Sequence, residues 1–335
     1  MKLVIPMAGF GTRMRPHTWT RPKPLFPLAG KPMLGHILER FSDLPIEEYV
    51  FITGWLGDQI EAYVRENYSI PAHFVEQEEM LGQAHALWLA REHLKGPIVL
   101  MFVDTLFDEA DFSHLDQPDL DGIIYTKEVD DPRRFGVVET DEEGRAINLI
   151  EKPDSKENKN VLIGLYYFAD AARLSGACEE LMERRLKTKG EYYLADAVTL
   201  MIEGGAHFYP REVGVWKDTG KPETTLETHR YFLEHGYDNS PEVARPGVSV
   251  IPPVFVHPEA TVERSVIGPY VSIHRDAQVR DCILRDTVVD EGTEIEGVLL
   301  EETLLGRWVK VQGSFRSLNL GDTSTESDDH ILLYK

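Results

Sequence analysis

Short apolar runs alternate with amphipathic stretches through the first 235 or so residues of this chain. The runs at 3–5, 49–53, 98–103 and 122–126 have almost no polar interruption, the pattern of strands covered on both faces. Between them, residues 33–41, 57–66 and 83–93 carry apolar positions three and four apart, which predicts helices laid over a mostly parallel sheet. The fold class expected for this part is α/β, with a mixed, mostly parallel sheet.

The texture changes at Asn239. Pro241, Pro246, Pro252 and Pro253 crowd one short stretch, and no helical periodicity is expected beyond it. The predicted organisation is a first domain over 1–238, a linker over 239–253 and a second domain over 254–325. In that last part Val256, Val262, Ile267, Ile273, Val279, Val289 and Ile295 recur mostly at five- to six-residue intervals. The pattern resembles the hexapeptide repeat of left-handed β-helix domains, in which each coil buries the apolar face of the next. Where the spacing slips from six to five, a set of short antiparallel strands stands as the alternative. Residues 314–335 are expected to cap the last coil or to fray.

Charge narrows the possible partners. Lys and Arg number 35 against 57 Asp and Glu, a net charge of -22. That field repels nucleic acid and anionic membrane surfaces, so neither is expected as a partner. Cys178 and Cys282 stand far apart with no metal or redox spacing and read as packing residues. With no leader-type or membrane-length apolar segment, a soluble cytoplasmic protein is expected.

Against this acidic background the start of the chain is basic, with six Lys and Arg in the first 31 residues. A predicted strand runs directly into Ala8-Gly9-Phe10-Gly11-Thr12-Arg13-Met14-Arg15-Pro16. Two glycines let the backbone turn tightly and offer successive N–H groups to phosphate oxygens. The loop lacks the third glycine of a dinucleotide fingerprint, and Gly30-Lys31-Pro32 is no Walker motif. By itself it is equally compatible with a plain turn. Its neighbours, Thr20-Arg21-Pro22-Lys23-Pro24 and then Gly30-Lys31-Pro32-Met33, add cations, and the prolines on either side of Lys23 limit where that ammonium points.

From Gly9 to Met33 the sequence resembles the signature of the sugar-1-phosphate nucleotidylyltransferases, a family that includes glucose-1-phosphate thymidylyltransferases, UTP-glucose-1-phosphate uridylyltransferases and mannose-1-phosphate guanylyltransferases. Phe10 departs from the small or aliphatic residue frequent at its position. The resemblance implies a Rossmann-like nucleotidyltransferase domain in which Ala8, Gly9, Gly11, Thr12 and Arg13 bind the nucleotide. It further implies that Arg13 takes the leaving pyrophosphate and Lys23 the phosphate being transferred.

Later segments extend the match, in order, to about residue 235. Read from the residues alone, Glu76 to Leu87 is a strand end, a loop and a helix start; the resemblance makes Gln77 and Gly82 base contacts. Asp104 ends a buried run, where the residues alone favour an ordinary turn aspartate, and Asp218 sits in Val215-Trp216-Lys217-Asp218-Thr219-Gly220. The family pairs two such aspartates on a magnesium ion, a cofactor suited to hard oxygen ligands. Glu151 and Lys152 could be a solvated pair. By resemblance Lys152 binds the sugar phosphate, Glu151 a sugar hydroxyl, and Gly136 and Gly164 line the sugar pocket. Glu191 to Asp196 matches loosely and is given no catalytic role.

The expected partners are thus a nucleoside triphosphate and a sugar 1-phosphate, with dTTP or UTP and glucose 1-phosphate leading and GTP with mannose 1-phosphate as the runner-up. Two rivals remain: a catalytically silent subunit that binds nucleotide sugars, and an acyltransferase tail with His257 or His274 as base. The flat faces of a β-helix favour a homo-oligomer, a dimer or tetramer.

Overall fold

The computed structural model describes residues 1–113, 115, 117 and 119–314. Its central strand is β1 (Lys2–Pro6), in which Leu3, Val4 and Ile5 are fully buried. Successive residues point to opposite faces: Val4 joins one apolar cluster, Leu3 and Ile5 the other. The chain continues through a loop, a small hairpin of β2 (Pro27–Leu28) and β3 (Lys31–Pro32), and α1 (Met33–Glu39). Then come β4 (Glu48–Thr53), α2 (Gly57–Asn67), β5 (Ala72–Glu76), α3 (Gln83–Leu89) and β6 (Ile98–Met101). β1 pairs in parallel with β4 on one side and β6 on the other, and β5 extends the sheet beyond β4. Loops leaving the carboxyl ends of β1, β5 and β6 therefore meet along one edge, the place where open α/β sheets bind ligands.

The strand predicted over 98–103 is shorter than expected. Phe102 N donates to Gly164 O (2.9 Å) and Thr105 N to Phe102 O (3.2 Å), so the chain turns and Asp104 lies in that turn rather than directly on the strand. Next come β7 (Thr105–Asp108), β8 (Gly122–Glu128), β9 (Gly136–Thr140), β10 (Ala146–Glu151) and β11 (Asn160–Phe168). β11 runs antiparallel to β6, β8 and β9, and β10 antiparallel to β9, which makes the nine-stranded sheet mixed. After α4 (Ala171–Glu183) and α5 (Leu194–Glu203), β12 (Phe208–Glu212) adds in parallel to β8. β13 (Val215–Asp218) pairs with β7 in a separate two-stranded ribbon, and α6 (Pro222–Glu234) follows.

A single helical turn, α7 (Ser240–Val243), lies within the stretch read as a linker. Pro241 at its start is compatible with the first turn of a helix, where no N–H partner is needed. The rest is a parallel β-helix. Val248–Val250 and Ser265–Ile267 stack on one face, Val254–Val256 and Val271–Ile273 on a second, and Ile283–Val289 and Leu299–Leu305 bend across both. Thr261–Glu263, Gln278–Arg280, Glu294–Glu296 and Lys310–Gln312 form the third face. Every one of these pairings is parallel, which removes the antiparallel alternative. All seven apolar positions of the repeat are buried. The irregular spacing has a structural cause: partners lie seventeen residues apart early (Val248 with Ser265) and sixteen later (Ile273 with Val289). Corners are left-handed residues in register, such as Tyr270, Asp286 and Glu302 (φ 60, 46 and 48°). The expected end of this domain at 325 lies outside the described residues.

The β-helix packs against the first part of the chain. Arg230 of α6 donates from Nε to Asp286 (2.8 Å), Tyr270 to Glu234 (2.6 Å), and Arg21 is paired with Asp290. The Phe255 ring lies so close to Gly30 that a Cβ there would be 2.6 Å away. Among the described residues no helix is long and apolar enough to cross a membrane.

Candidate active site

The loop after β1 is held from below. The Thr18 hydroxyl donates to Gly11 O (2.9 Å), and Gly11 has φ 61°, a conformation that favours glycine. A Cβ on Gly11 would lie 3.1 Å from Thr18 and 3.2 Å from Lys23, whereas one on Gly9 would meet nothing within 4 Å. Gly11 thus serves the packing of the loop, and Gly9 faces open space. From Ala8 to Thr12 no backbone N–H finds an acceptor among the described residues, and all five residues line a cleft of about 420 Å³.

Arg13 and Lys23 stand on the wall of that cleft with Asp104 between them: the Lys23 ammonium is 3.5 Å from the carboxylate and the Arg13 guanidinium 3.8 Å. Lys23 is 8% exposed, held in a one-turn 3-10 helix by Pro22 and Pro24. Burial would raise the pKa of Asp104, but Lys23 and Arg13 outweigh it and hold the carboxyl below its ordinary value. Asp218 arrives from far along the chain. It pairs with Thr105 across the β7–β13 ribbon, and Thr219 N donates to Asp104 O (3.0 Å). Gly220 N donates to Asp218 Oδ1 (2.9 Å), and a Cβ on Gly220 would lie 2.9 Å from both that oxygen and the Arg13 guanidinium.

At the other end of the cleft, Gln77 is buried, and its amide nitrogen donates to Gly82 O (3.1 Å) and faces His85 Nδ1 (3.1 Å). Gly82 (φ 111°) lies against the backbone of Tyr192, 2.5 Å from where its Cβ would be, and Tyr192 N donates to Leu81 O (2.9 Å). The Gly82 turn is therefore pinned to the segment before α5.

A second chamber of about 210 Å³ adjoins the first, and Arg13, Gln83, Phe102 and Asp104 line both. Gly136, Glu151, Gly164 and Asp218 line only the second. Gly164 (φ 82°) sits at a bulge in β11, with Phe102 2.7 Å from the position of a Cβ. Gly136 likewise leaves room for Leu162 and for the Glu151 carboxylate, 3.1 Å from a Cβ there. Burial raises the pKa of Glu151, with Lys152 opposing. Lys152 itself lines neither chamber. Its ammonium is turned to the Tyr193 hydroxyl (3.1 Å) and to Glu151 (3.5 Å).

The basic cluster of the sequence does not persist in space. Arg15 stacks on Trp19 (3.9 Å), Arg21 pairs with the β-helix, Lys31 pairs with Glu39, and Lys2 binds Glu48 (2.8 Å); only Arg13 and Lys23 reach the cleft. Residues that the sequence left without a role, among them Gln83, Phe102, Tyr193 and Trp216, do shape the site. For Tyr193 the loose match over Glu191 to Asp196 was the one signal, whereas Gln83, Phe102 and Trp216 lie in segments already singled out for other residues. His274, weighed as a base, is buried in the β-helix beside Ser272 (3.3 Å), and burial pushes its pKa down to about 3, so it is a packing residue.

The residues that could hold a divalent ion here are Asp104 and Asp218. Asp104 and Asp218 present carboxylates to the same chamber, and no group of three or more candidate ligands occurs among the described residues. Magnesium takes one or two carboxylates and completes its shell with phosphate oxygens and water.

A family model described as nucleotidyl transferase matches residues 2–235. A bifunctional protein GlmU of Methanococcus vannielii is 34% identical over 236 residues, 70% of this chain and 56% of that protein. The chain thus spans little more than half the length of these relatives. A glucose-1-phosphate thymidylyltransferase of Streptomyces griseus is 29% identical over 338 residues, 93% of each chain. Among solved structures, a UDP-glucose pyrophosphorylase complexed with UDP-glucose aligns with TM-score 0.60 at 22% identity, covering 70% of this chain and 98% of that one. At that identity the likeness establishes the fold.

Proposed function

The chain belongs to the nucleotidyl transferase family, and we propose that it joins a nucleoside triphosphate to a sugar 1-phosphate, releasing pyrophosphate and a nucleotide sugar. The observation that carries this reading is the shared wall of two chambers: a phosphate-facing cleft and a smaller polar pocket meet at Arg13 and Asp104. A phosphoryl group reached from both sides would sit there.

An oxygen of the sugar phosphate attacks the α-phosphorus of the nucleotide, the bond to the β-phosphate oxygen breaks, and pyrophosphate leaves with the electron pair. The free N–H groups of Ala8 to Thr12 receive the triphosphate, with Gly9 admitting its close approach. Arg13 offsets charge on the departing pyrophosphate, and Lys23, rigidly held, contacts the α-phosphate. Glu151 accepts from a sugar hydroxyl, Gly136 and Gly164 leave space for the ring, and Lys152 turns from Tyr193 to the sugar phosphate. Gln77, its amide nitrogen engaged, offers its oxygen to a base N–H, with Gly82 against the ring. Asp104 and Asp218 would hold a magnesium ion, which supplies charge neutralisation to the phosphates when bound. Rate acceleration then rests on positioning and charge.

Glucose 1-phosphate with dTTP or UTP is the leading substrate pair, supported by the thymidylyltransferase relative that covers 93% of the chain. Such charged substrates belong to the cytoplasm. A homo-oligomer, dimer or tetramer, is supported by Ile283 and Leu299, neighbours on one β-helix face that are 48% and 76% exposed. The deciding experiment is pyrophosphate release from four triphosphates, each with the 1-phosphates of glucose, mannose and N-acetylglucosamine. Release with dTTP or UTP and glucose 1-phosphate is expected. Release with GTP and mannose 1-phosphate alone reassigns the substrates, and nucleotide-sugar binding without any release marks a silent subunit.

A further inference from the structure

The smaller chamber has an unusual charge arrangement. Its wall carries three carboxylates, Asp104, Glu151 and Asp218, and two guanidinium groups, Arg13 and Arg134. Arg13 faces Asp104, and the nearby Lys152 ammonium is directed to Tyr193 and Glu151. Arg134 has no ion pair or hydrogen bond among the described residues, although Arg133 beside it is held by Asp131 at 2.7 Å. An unpaired exposed arginine is ordinarily a solvated one. This one lines an acidic chamber that a phosphate monoester, nearly doubly charged at neutral pH, has to enter against the local field.

Its placement is also fixed. Arg134 ends a 3-10 turn, Pro132–Arg134, whose first residue is buried, whose Asp131 cap accepts from Arg133 N (3.3 Å), and which closes with Phe135 N on Pro132 O (2.9 Å). The next residues open β9, where Gly136 pairs with Glu151 at the end of β10 and Lys152 N donates to Phe135 O (2.9 Å). Arg134 and Lys152 thus flank one residue pair at the open end of the same hairpin, one cation before β9 and one after β10. The backbone on both sides is held and the Arg134 side chain is left unengaged. Its planar fork matches a phosphate with two parallel N–H donors, where a lysine supplies only a point charge.

We propose that Arg134 is a further substrate-binding residue, which closes with Lys152 on the phosphate of the sugar 1-phosphate. This rests on the nucleotidyl-transfer reading of the two chambers. It assigns the smaller one a phosphate clamp at its rim, separate from the contacts to the triphosphate.

The test is steady-state pyrophosphate release by the full chain carrying Arg134→Gln or Arg134→Lys, with each substrate varied in turn and free glucose used as an inhibitor. Loss of a charged hydrogen-bonding partner predicts a rise in KM for the sugar 1-phosphate of about tenfold to a hundredfold. The triphosphate KM, the melting temperature and inhibition by free glucose should stay as in the unaltered protein, and Arg134→Lys should recover only part of the loss. An unchanged sugar-phosphate KM, an equal rise for both substrates, or an equal weakening of glucose inhibition would each overturn the assignment. If the unaltered protein releases no pyrophosphate with any pair, the nucleotidyl-transfer reading fails first and takes the clamp with it. That outcome is seen before any variant is made.

Discussion

The Lys23 ammonium lies 3.5 Å from the Asp104 carboxylate, the one carboxylate that both chambers and both cleft-facing cations share. In the free protein this ion pair keeps Asp104 ionised and holds Lys23 where a phosphate would arrive. Asp104→Asn should therefore impair two things together, retention of the divalent ion and orientation of Lys23. Turnover is expected to fall by about a thousandfold, the scale of losing one preorganised charge at a reacting phosphate. Titration with magnesium should show a raised requirement; unchanged turnover at limiting magnesium would remove Asp104 from the site.

Lys152 makes a simpler case. Among the described residues its ammonium meets only Tyr193 and Glu151, so Lys152→Ala should leave the melting temperature within a degree or two while lowering turnover about a hundredfold or more. Near-normal kinetics would take Lys152 out of the mechanism.

Gly220 tests the joint between Arg13 and Asp218. A Cβ at that position would stand 2.9 Å from each. Gly220→Ala should push both groups apart and cost turnover about a hundredfold, as misplacement of about 1 Å does in a positioned site. Circular dichroism and melting should report an intact fold, and a variant as active as the parent would show that the two groups need not be so close.

The pH dependence follows from two carboxyls shifted in opposite directions. Glu151 is raised, chiefly by burial, and for Asp104 the desolvation that would raise it is outweighed by Lys23 and Arg13, which lower it. As pH falls, Glu151 is protonated before an ordinary glutamate, so it should add to the acid limb of kcat/KM for the sugar phosphate beside the substrate's own second phosphate ionisation, and Glu151→Gln should leave only the substrate's part. Asp104 contributes in the other sense. Its ion pairs stabilise the fold at any pH above the ordinary aspartate range, and that contribution is lost as pH falls through its lowered value. An acid limb identical in Glu151→Gln would contradict the assignment.

Association is testable on the β-helix. Leu299 is 76% exposed and stacks beside Ile283 on one face, so Leu299→Asp should shift the sedimentation coefficient towards the monomer while sparing the fold. A parent protein that sediments as a monomer would dismiss the oligomer.

By itself the sequence determined whatever depends on local period and backbone freedom. Buried runs became β1, β4, β6 and β8, helical spacing became α1 to α3, and the five- and six-residue repeat became parallel coils, because alternation, turn geometry and apolar stacking act over a few neighbouring residues. The glycine loop was legible for the same reason, although the sequence could not divide its glycines into Gly11, which serves packing, and Gly9, which faces the cleft. Only the tertiary structure decided which side chains converge. Six cations close together in the chain scatter to Glu48, Trp19, Asp290, Glu39 and the cleft, since consecutive residues of a turning loop point in different directions. Asp104 and Asp218, far apart in sequence, line one chamber because β7 and β13 pair, and Tyr193 reaches Lys152 because α5 packs against β10. Spacing fixes the path of the backbone, whereas a site depends on long-range pairing that brings distant ends of strands together.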